Sequence, residues 1–104
     1  LKEIMRYAQD HLTEAMRVED LALAAHVSKR VCFRLFQENL HVSPVEYIRS
    51  LRLQEACRLL ATTAEPITQV GYACGLGSAS YFGQVFRQRF GCTPAEYRRK
   101  MARS

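Results

Sequence analysis

Apolar residues recur along this chain at helical spacing, and they do so twice. Val18, Leu21, Ala22 and Ala25 fall at i, i+3, i+4 and i+7, the face that a short helix over residues 18–25 turns toward a core. Ser28 then stands as an N-cap. Over residues 29–40, Cys32, Leu35, Phe36 and Leu40 make a second inward face and leave a separate stripe on the other side. The plan returns farther along: residues 67–74 read as a helix, Gly75 suits the left-handed position that ends it, and Ser78 caps its successor. Phe82, Val85, Phe86 and Phe90 are expected to face inward there.

The two copies match residue by residue. Phe36, Ser43, Pro44, Glu46, Tyr47 and Arg49 recur fifty positions later as Phe86, Thr93, Pro94, Glu96, Tyr97 and Arg99. Leu21, Ala25 and Val27 match Val70, Cys74 and Leu76 at a spacing of forty-nine, so one residue is gained in the turn between. A short helix, a tight turn, a second helix and a Pro-marked start of another is the helix-turn-helix pattern. Ser43-Pro44-Val45-Glu46 and Thr93-Pro94-Ala95-Glu96 both satisfy the capping box, with Pro at the first helical position, where no hydrogen-bond donor is needed.

The box after Val42 opens a helix running to about residue 62, with Tyr47, Ile48, Leu51, Ala56, Leu59 and Leu60 as its apolar contacts and Pro66 beyond its end. Some seventeen residues at 1.5 Å each make a strut of roughly 26 Å. Ile4, Tyr7, Ala8, His11 and Leu12 form a further amphipathic helix at the start. No strand pattern appears. The fold class is all-α: about seven helices, broken near residues 15, 27, 41, 64, 77 and 92, forming two homeodomain-like helical bundles. The chain is expected to be one domain, with a first helix-turn-helix subdomain at 1–44, a linker helix at 45–63 and a second subdomain at 64–104.

A length of 104 residues suits one domain. No apolar run approaches the roughly 20 residues of a membrane span. No signal-peptide order of basic, apolar and small residues opens the chain. It begins at Leu1 and not at an initiator Met, so a longer parent chain is expected.

Charge changes the picture more. Residues 1–26 carry three basic and five acidic side chains, whereas residues 27–104 carry twelve basic and five acidic, a local net of +7 that favours a polyanionic partner.

Cys32, Cys57, Cys74 and Cys92 are widely spaced, without a C-x-x-C pair or a nearby histidine at finger spacing. No metal site or cofactor is expected, and the thiols are read as reduced, small hydrophobes of a cytoplasmic protein. His11, His26 and His41 are isolated. No Ser-His-Asp, Cys-His, paired-carboxylate or phosphate-loop arrangement is present, which argues against an enzyme.

In a helix-turn-helix the second helix lies in the major groove and its outward residues meet base edges. In the first copy that stripe is Arg30, Phe33, Arg34 and Gln37, opposite the core face. Arginine grips guanine O6 and N7 with two hydrogen bonds, and Phe33 suits a thymine methyl. The equivalent stripe is Ser80, Gly83, Gln84 and Arg87, with Ala79 at the helix start: smaller, less charged and suited to adenine through Gln84. The first unit is therefore expected to discriminate bases more strongly. Ser28, Lys29, Gln37, Ser78, Arg87, Arg89, Arg98, Arg99 and Lys100 are candidates for phosphate contacts, which fix register without reading sequence. The competing reading is a helical protein–protein interaction module whose stripes bind a partner protein and no groove.

These residues resemble the AraC/XylS family of bacterial transcription regulators, in its C-terminal DNA-binding domain. The most family-like stretch is Gly75-Leu76-Gly77-Ser78-Ala79-Ser80-Tyr81-Phe82-Gly83-Gln84-Val85-Phe86-Arg87, continuing through Phe90-Gly91-Cys92-Thr93-Pro94-Ala95-Glu96-Tyr97-Arg98. Leu21-Ala22, Ser28, Phe36, Ser43-Pro44, Tyr47, Arg52-Leu53, Ala56 and Leu59-Leu60 look like its first unit and linker. The resemblance implies a transcription activator or repressor that sets two recognition helices in adjacent major grooves of double-stranded DNA. It also implies contact with RNA polymerase and a parent chain with an N-terminal sensing or dimerisation domain. Carried over by position, the base-reading sites fall at Arg30, Phe33 and Arg34, then Ala79, Ser80, Gly83 and Gln84. The chain departs from the family at Leu76 (often Phe), Gly71 (usually Ala), Gly83-Gln84 (commonly Ser-Arg) and His41 (usually Gly). A left-handed turn at His41 would cost roughly 1 kcal/mol.

Overall fold

In a computed structural model, which describes residues 1–102, the repeat becomes seven helices and no strand among the described residues. They are α1 (Lys2–Asp10), α2 (Val18–Ala24), α3 (Lys29–Leu40), α4 (Pro44–Thr62), α5 (Ile67–Ala73), α6 (Ala79–Phe90) and α7 (Pro94–Ala102). The chain divides into two compact units, Leu1–Leu51 and Arg52–Ser104, and the boundary falls inside α4. No helix is long and apolar enough to cross a membrane among the described residues.

Each unit has its own core. In the first, Ile4 and Ala8 of α1, Leu21 and Ala22 of α2, Cys32 and Phe36 of α3, and Ile48 of α4 are buried together. In the second, Leu53, Ala56 and Leu60 of α4 meet Val70, Cys74, Leu76, Phe82, Val85, Phe86 and Cys92. The apolar residues of α4 thus serve two cores, Ile48 with partly buried Tyr47 and Leu51 in one and Leu53, Ala56 and Leu60 in the other. Repeat-equivalent aromatic pairs close both units: Phe36 and Tyr47 with ring centroids 5.3 Å apart, Phe86 and Tyr97 at 5.6 Å. Such contacts add to the area they bury.

Both junction caps form through their hydroxyls, and the second closes as a full box. Ser43 Oγ accepts from the Glu46 N–H at 3.1 Å, and Thr93 Oγ1 from the Glu96 N–H at 3.1 Å. Glu96 returns the bond, its carboxylate accepting from the Thr93 N–H at 2.8 Å. That backbone donor, with the Thr93 side chain next, holds the Glu96 carboxyl below the usual carboxylate range.

One core expectation changes. Phe90 is 39% exposed, because α6 ends there and Gly91 turns left-handed at φ 74. Its ring stays at the rim, 4.6 Å from Phe86 and 6.2 Å from Tyr97.

Candidate nucleic-acid interface

Both helix-turn-helix turns are built by the same backbone bonds. In the first unit the Val27 N–H returns to the Ala22 carbonyl at 3.0 Å and the His26 N–H to Leu23 at 3.1 Å. In the second, Leu76 donates to Gly71 at 2.8 Å and Gly75 to Tyr72 at 3.1 Å. The left-handed residue is His26 (φ 56) in one; in the other it is the equivalent Gly75 (φ 84), joined by Gly77 (φ 76). After each turn a serine starts the next helix: Ser28 Oγ accepts from the Val31 N–H at 3.1 Å, Ser78 Oγ from the Tyr81 N–H at 3.3 Å. At the far end of α3, His41 is left-handed (φ 58), as Gly91 is after α6. Two histidines therefore occupy the strained positions that glycine fills in the second copy.

These caps hold α3 with Cys32 and Phe36 buried and with Arg30, Arg34, Gln37 and Phe33 exposed. Phe33 is 41% exposed, so within its unit no neighbouring helix covers the ring. On α6 the buried residues are Phe82, Val85 and Phe86, while Ala79, Ser80, Gln84 and Arg87 are exposed. Gly83 is half-buried, and a Cβ added there would meet nothing within 4 Å. The small size of this face is thus a matter of residue choice and not of crowding. Ser28, Lys29, Ser78, Arg89, Arg99 and Lys100 are exposed as well.

Arg98 departs from its expected place. It is partly buried, its Nε donates to the Leu60 carbonyl at 3.2 Å, and its Nη2 is buried without a hydrogen-bond partner. Leu60 lies in the last turn of α4, whose carbonyls lack helical partners. Two of its three guanidinium nitrogens are therefore taken up at the end of that helix, Nε by the bond and Nη2 by burial.

Other features were not visible in the spacing. Lys29 Nζ lies 3.0 Å from Glu19 Oε1, across from α3 to α2, and the same carboxylate meets Arg17 Nε at 3.8 Å. The Glu19 carboxyl is held below its usual range, first by its own backbone N–H and then by Lys29. Asp20, next to it, caps α2 by accepting from the Arg17 N–H at 2.9 Å. Arg34 Nε stands 3.9 Å from Glu38, one turn on. Leu23 and Tyr72, equivalent at the forty-nine-residue spacing, are 73% and 58% exposed on the first helix of each pair. That offset, applied to residues outside the apolar stripe, would have found them.

The thiols sit as small hydrophobes. Cys32, Cys74 and Cys92 are buried, Cys57 is half-buried, and all four are free. Burial pushes Cys32, Cys57 and Cys74 above the ordinary thiol value. Among the described residues no group of three His, Cys, Asp or Glu side chains is placed to hold a metal ion.

A helix-turn-helix domain family model matches residues 21–100. The chain is 38% identical over 98 residues to the HTH-type transcriptional regulator GbdR of Pseudomonas aeruginosa (strain UCBPP-PA14), covering 94% of this chain and 27% of that protein. Among solved structures it is similar to an AraC-type DNA-binding domain-containing regulator from Chromobacterium violaceum, at TM-score 0.94 and 35% identity, covering 98% of this chain and 91% of that one. It is also similar to the DNA-binding domain of AdpA, a global transcriptional factor solved in complex with a target DNA. There the TM-score is 0.89 and the identity 32%, over 95% of this chain and 89% of that one.

Proposed function

The chain belongs to the AraC-type helix-turn-helix family of sequence-specific DNA-binding transcription regulators, and on that premise we propose that α3 and α6 each enter a major groove, consecutive on one duplex. The observation that carries this reading is the pair of outward stripes: exposed Arg30, Phe33, Arg34 and Gln37 opposite a buried face on α3, and exposed Ser80, Gln84 and Arg87 with half-buried Gly83 opposite one on α6. Arg30 and Arg34 pair with guanine and Phe33 packs on a thymine methyl. Gln84 pairs with adenine, while Ala79, Ser80 and Gly83 allow close approach. Ser28, Lys29, Gln37, Ser78, Arg87, Arg89, Arg99 and Lys100 hold phosphates. Arg98, committed to Leu60, leaves that set.

The chain spans 27% of the length of GbdR, so what surrounds it in a full regulator is part of the proposal. In that reading it works in the cytoplasm, beside an N-terminal sensing or dimerisation domain, and contacts RNA polymerase when bound at a promoter.

Selection of bound sites from random duplexes tests the proposal. Two conserved half-sites about one helical turn apart support it. On the selected site, six to ten phosphate contacts predict a loss of about 10³ to 10⁵ in affinity between roughly 50 and 200 mM salt. Enrichment of a single half-site would remove one recognition helix from the groove. Absence of salt-dependent duplex binding would favour the protein-interaction module.

A further inference from the structure

The two units differ sharply in charge. Residues 1–51 carry seven basic and seven acidic side chains and are neutral overall, whereas residues 52–104 carry eight basic and three acidic. The whole net charge of +5 therefore belongs to the second unit. Yet the first unit bears the larger reading stripe, with two arginines and a phenylalanine on α3.

Glu19 sits where this difference acts. It lies in the first turn of α2, and its carboxylate reaches Lys29, the first residue of α3, at 3.0 Å and Arg17 at 3.8 Å. Lys29 follows the serine cap of the recognition helix, at the edge where a groove-bound helix passes the phosphate backbone. Holding Lys29 on a carboxylate occupies one cation, and the carboxylate itself repels phosphate. The second unit has no counterpart: Thr68 stands at the Glu19 position, Ala79 at the Lys29 position and Pro66 at the Arg17 position. An exposed pair of this kind adds little to folding, so its consequence lies in how the surface meets other charges.

We propose that Glu19 is a specificity-determining residue, a charge brake that keeps the first unit off DNA unless Arg30, Phe33 and Arg34 find their bases, while the positive second unit holds any duplex. The inference rests on the DNA-binding reading and assigns each unit its part in it. On unrelated sequence the second unit supplies most of the counterion release. On the right sequence base contacts seat α3, and Lys29 is drawn from Glu19 to a phosphate.

The test compares the chain with Glu19→Gln, Lys29→Met and the double variant, on a mixed-sequence duplex and on the site selected from random duplexes. Glu19→Gln is expected to bind the mixed-sequence duplex about three- to tenfold more tightly at low salt, with a salt slope steeper by about one unit. The gain should shrink when Lys29 is already methionine. Thr68→Glu, which writes the same carboxylate onto α5, should weaken binding to both duplexes, and this arm does not depend on how Glu19→Gln folds. Unchanged mixed-sequence binding by Glu19→Gln, or a gain as large on the selected site as on the mixed-sequence duplex, overturns the brake and leaves the DNA reading in place. Failure of the unaltered chain to bind any duplex overturns the DNA reading, and the brake with it.

Discussion

A Cβ built on Gly71 lies 2.9 Å from Cδ2 of Phe82, and 3.2 Å from the Gly77 carbonyl oxygen. In the first unit the equivalent positions hold Ala22 and Cys32. The two copies have traded volume: a methyl against a small thiol in one, a hydrogen against a benzyl ring in the other. Phe82 is fully buried and cannot swing away. Glycine in α5 is therefore a packing requirement, even at some cost in helix propensity.

Gly71→Ala should destabilise the chain by up to about 2 kcal/mol, the roughly 1–3 kcal/mol of overpacking less the roughly 1 kcal/mol that alanine gains in a helix interior. Chemical denaturation measures it. Combining it with Phe82→Leu should cost less than the sum of the two single changes, and full additivity would count against the contact.

His41 and Gly91 give a paired prediction. Both are left-handed at the ends of equivalent helices. His41→Gly should raise stability by up to about 1 kcal/mol, the relief of strain being partly offset by a freer unfolded chain. Gly91→Ala should lower it by about 1–2 kcal/mol, even though the space around its Cβ is open within 4 Å. Equal responses at the two sites would contradict the strain argument.

Three arginines should separate by role. Arg34→Ala is expected to cost roughly 1–3 kcal/mol on the selected site and to relax preference at one base pair. Arg99→Ala should weaken all duplexes alike and make the salt slope about one unit shallower. Arg98→Met should leave that slope unchanged and lower folding stability by about 1–3 kcal/mol, through the unpartnered Leu60 carbonyl. Duplex titrations at several salt concentrations, with a melting curve for each variant, distinguish the three.

The buried thiols set a pH dependence. Burial raises Cys32, Cys57 and Cys74 above their unfolded values, so the unfolded chain loses these protons first. Their contribution is fully present below the ordinary thiol range, near 8.5, and is lost as pH rises through the higher folded values. Stability should fall on the alkaline side, and Cys32 and Cys74 should resist alkylation until the chain unfolds. Fast labelling of both in the folded state would contradict their placement.

Much of this was readable from the sequence because the apolar stripes and caps are local. Ser28, Ser78, the two Pro-marked boxes and the faces around Phe36 and Phe86 depend on residues within a turn or two. The helices they predicted form close to those positions. Phe90 was misread because periodicity does not tell where a helix ends against its core. The Arg98 bond to Leu60 is not legible in the sequence because its partner lies 38 residues away. The Glu19–Lys29 pair joins two helices across a turn, a relation that composition counts only as two charges.

The peptide bond between Leu51 and Arg52 has a further consequence. Ile48 and Leu51 belong to one core and Leu53 and Ala56 to the other, so a crossover at that bond would exchange whole hydrophobic interiors without mixing them. Hybrid chains joined there are expected to keep each interior intact, provided that the helical backbone runs unbroken through the join.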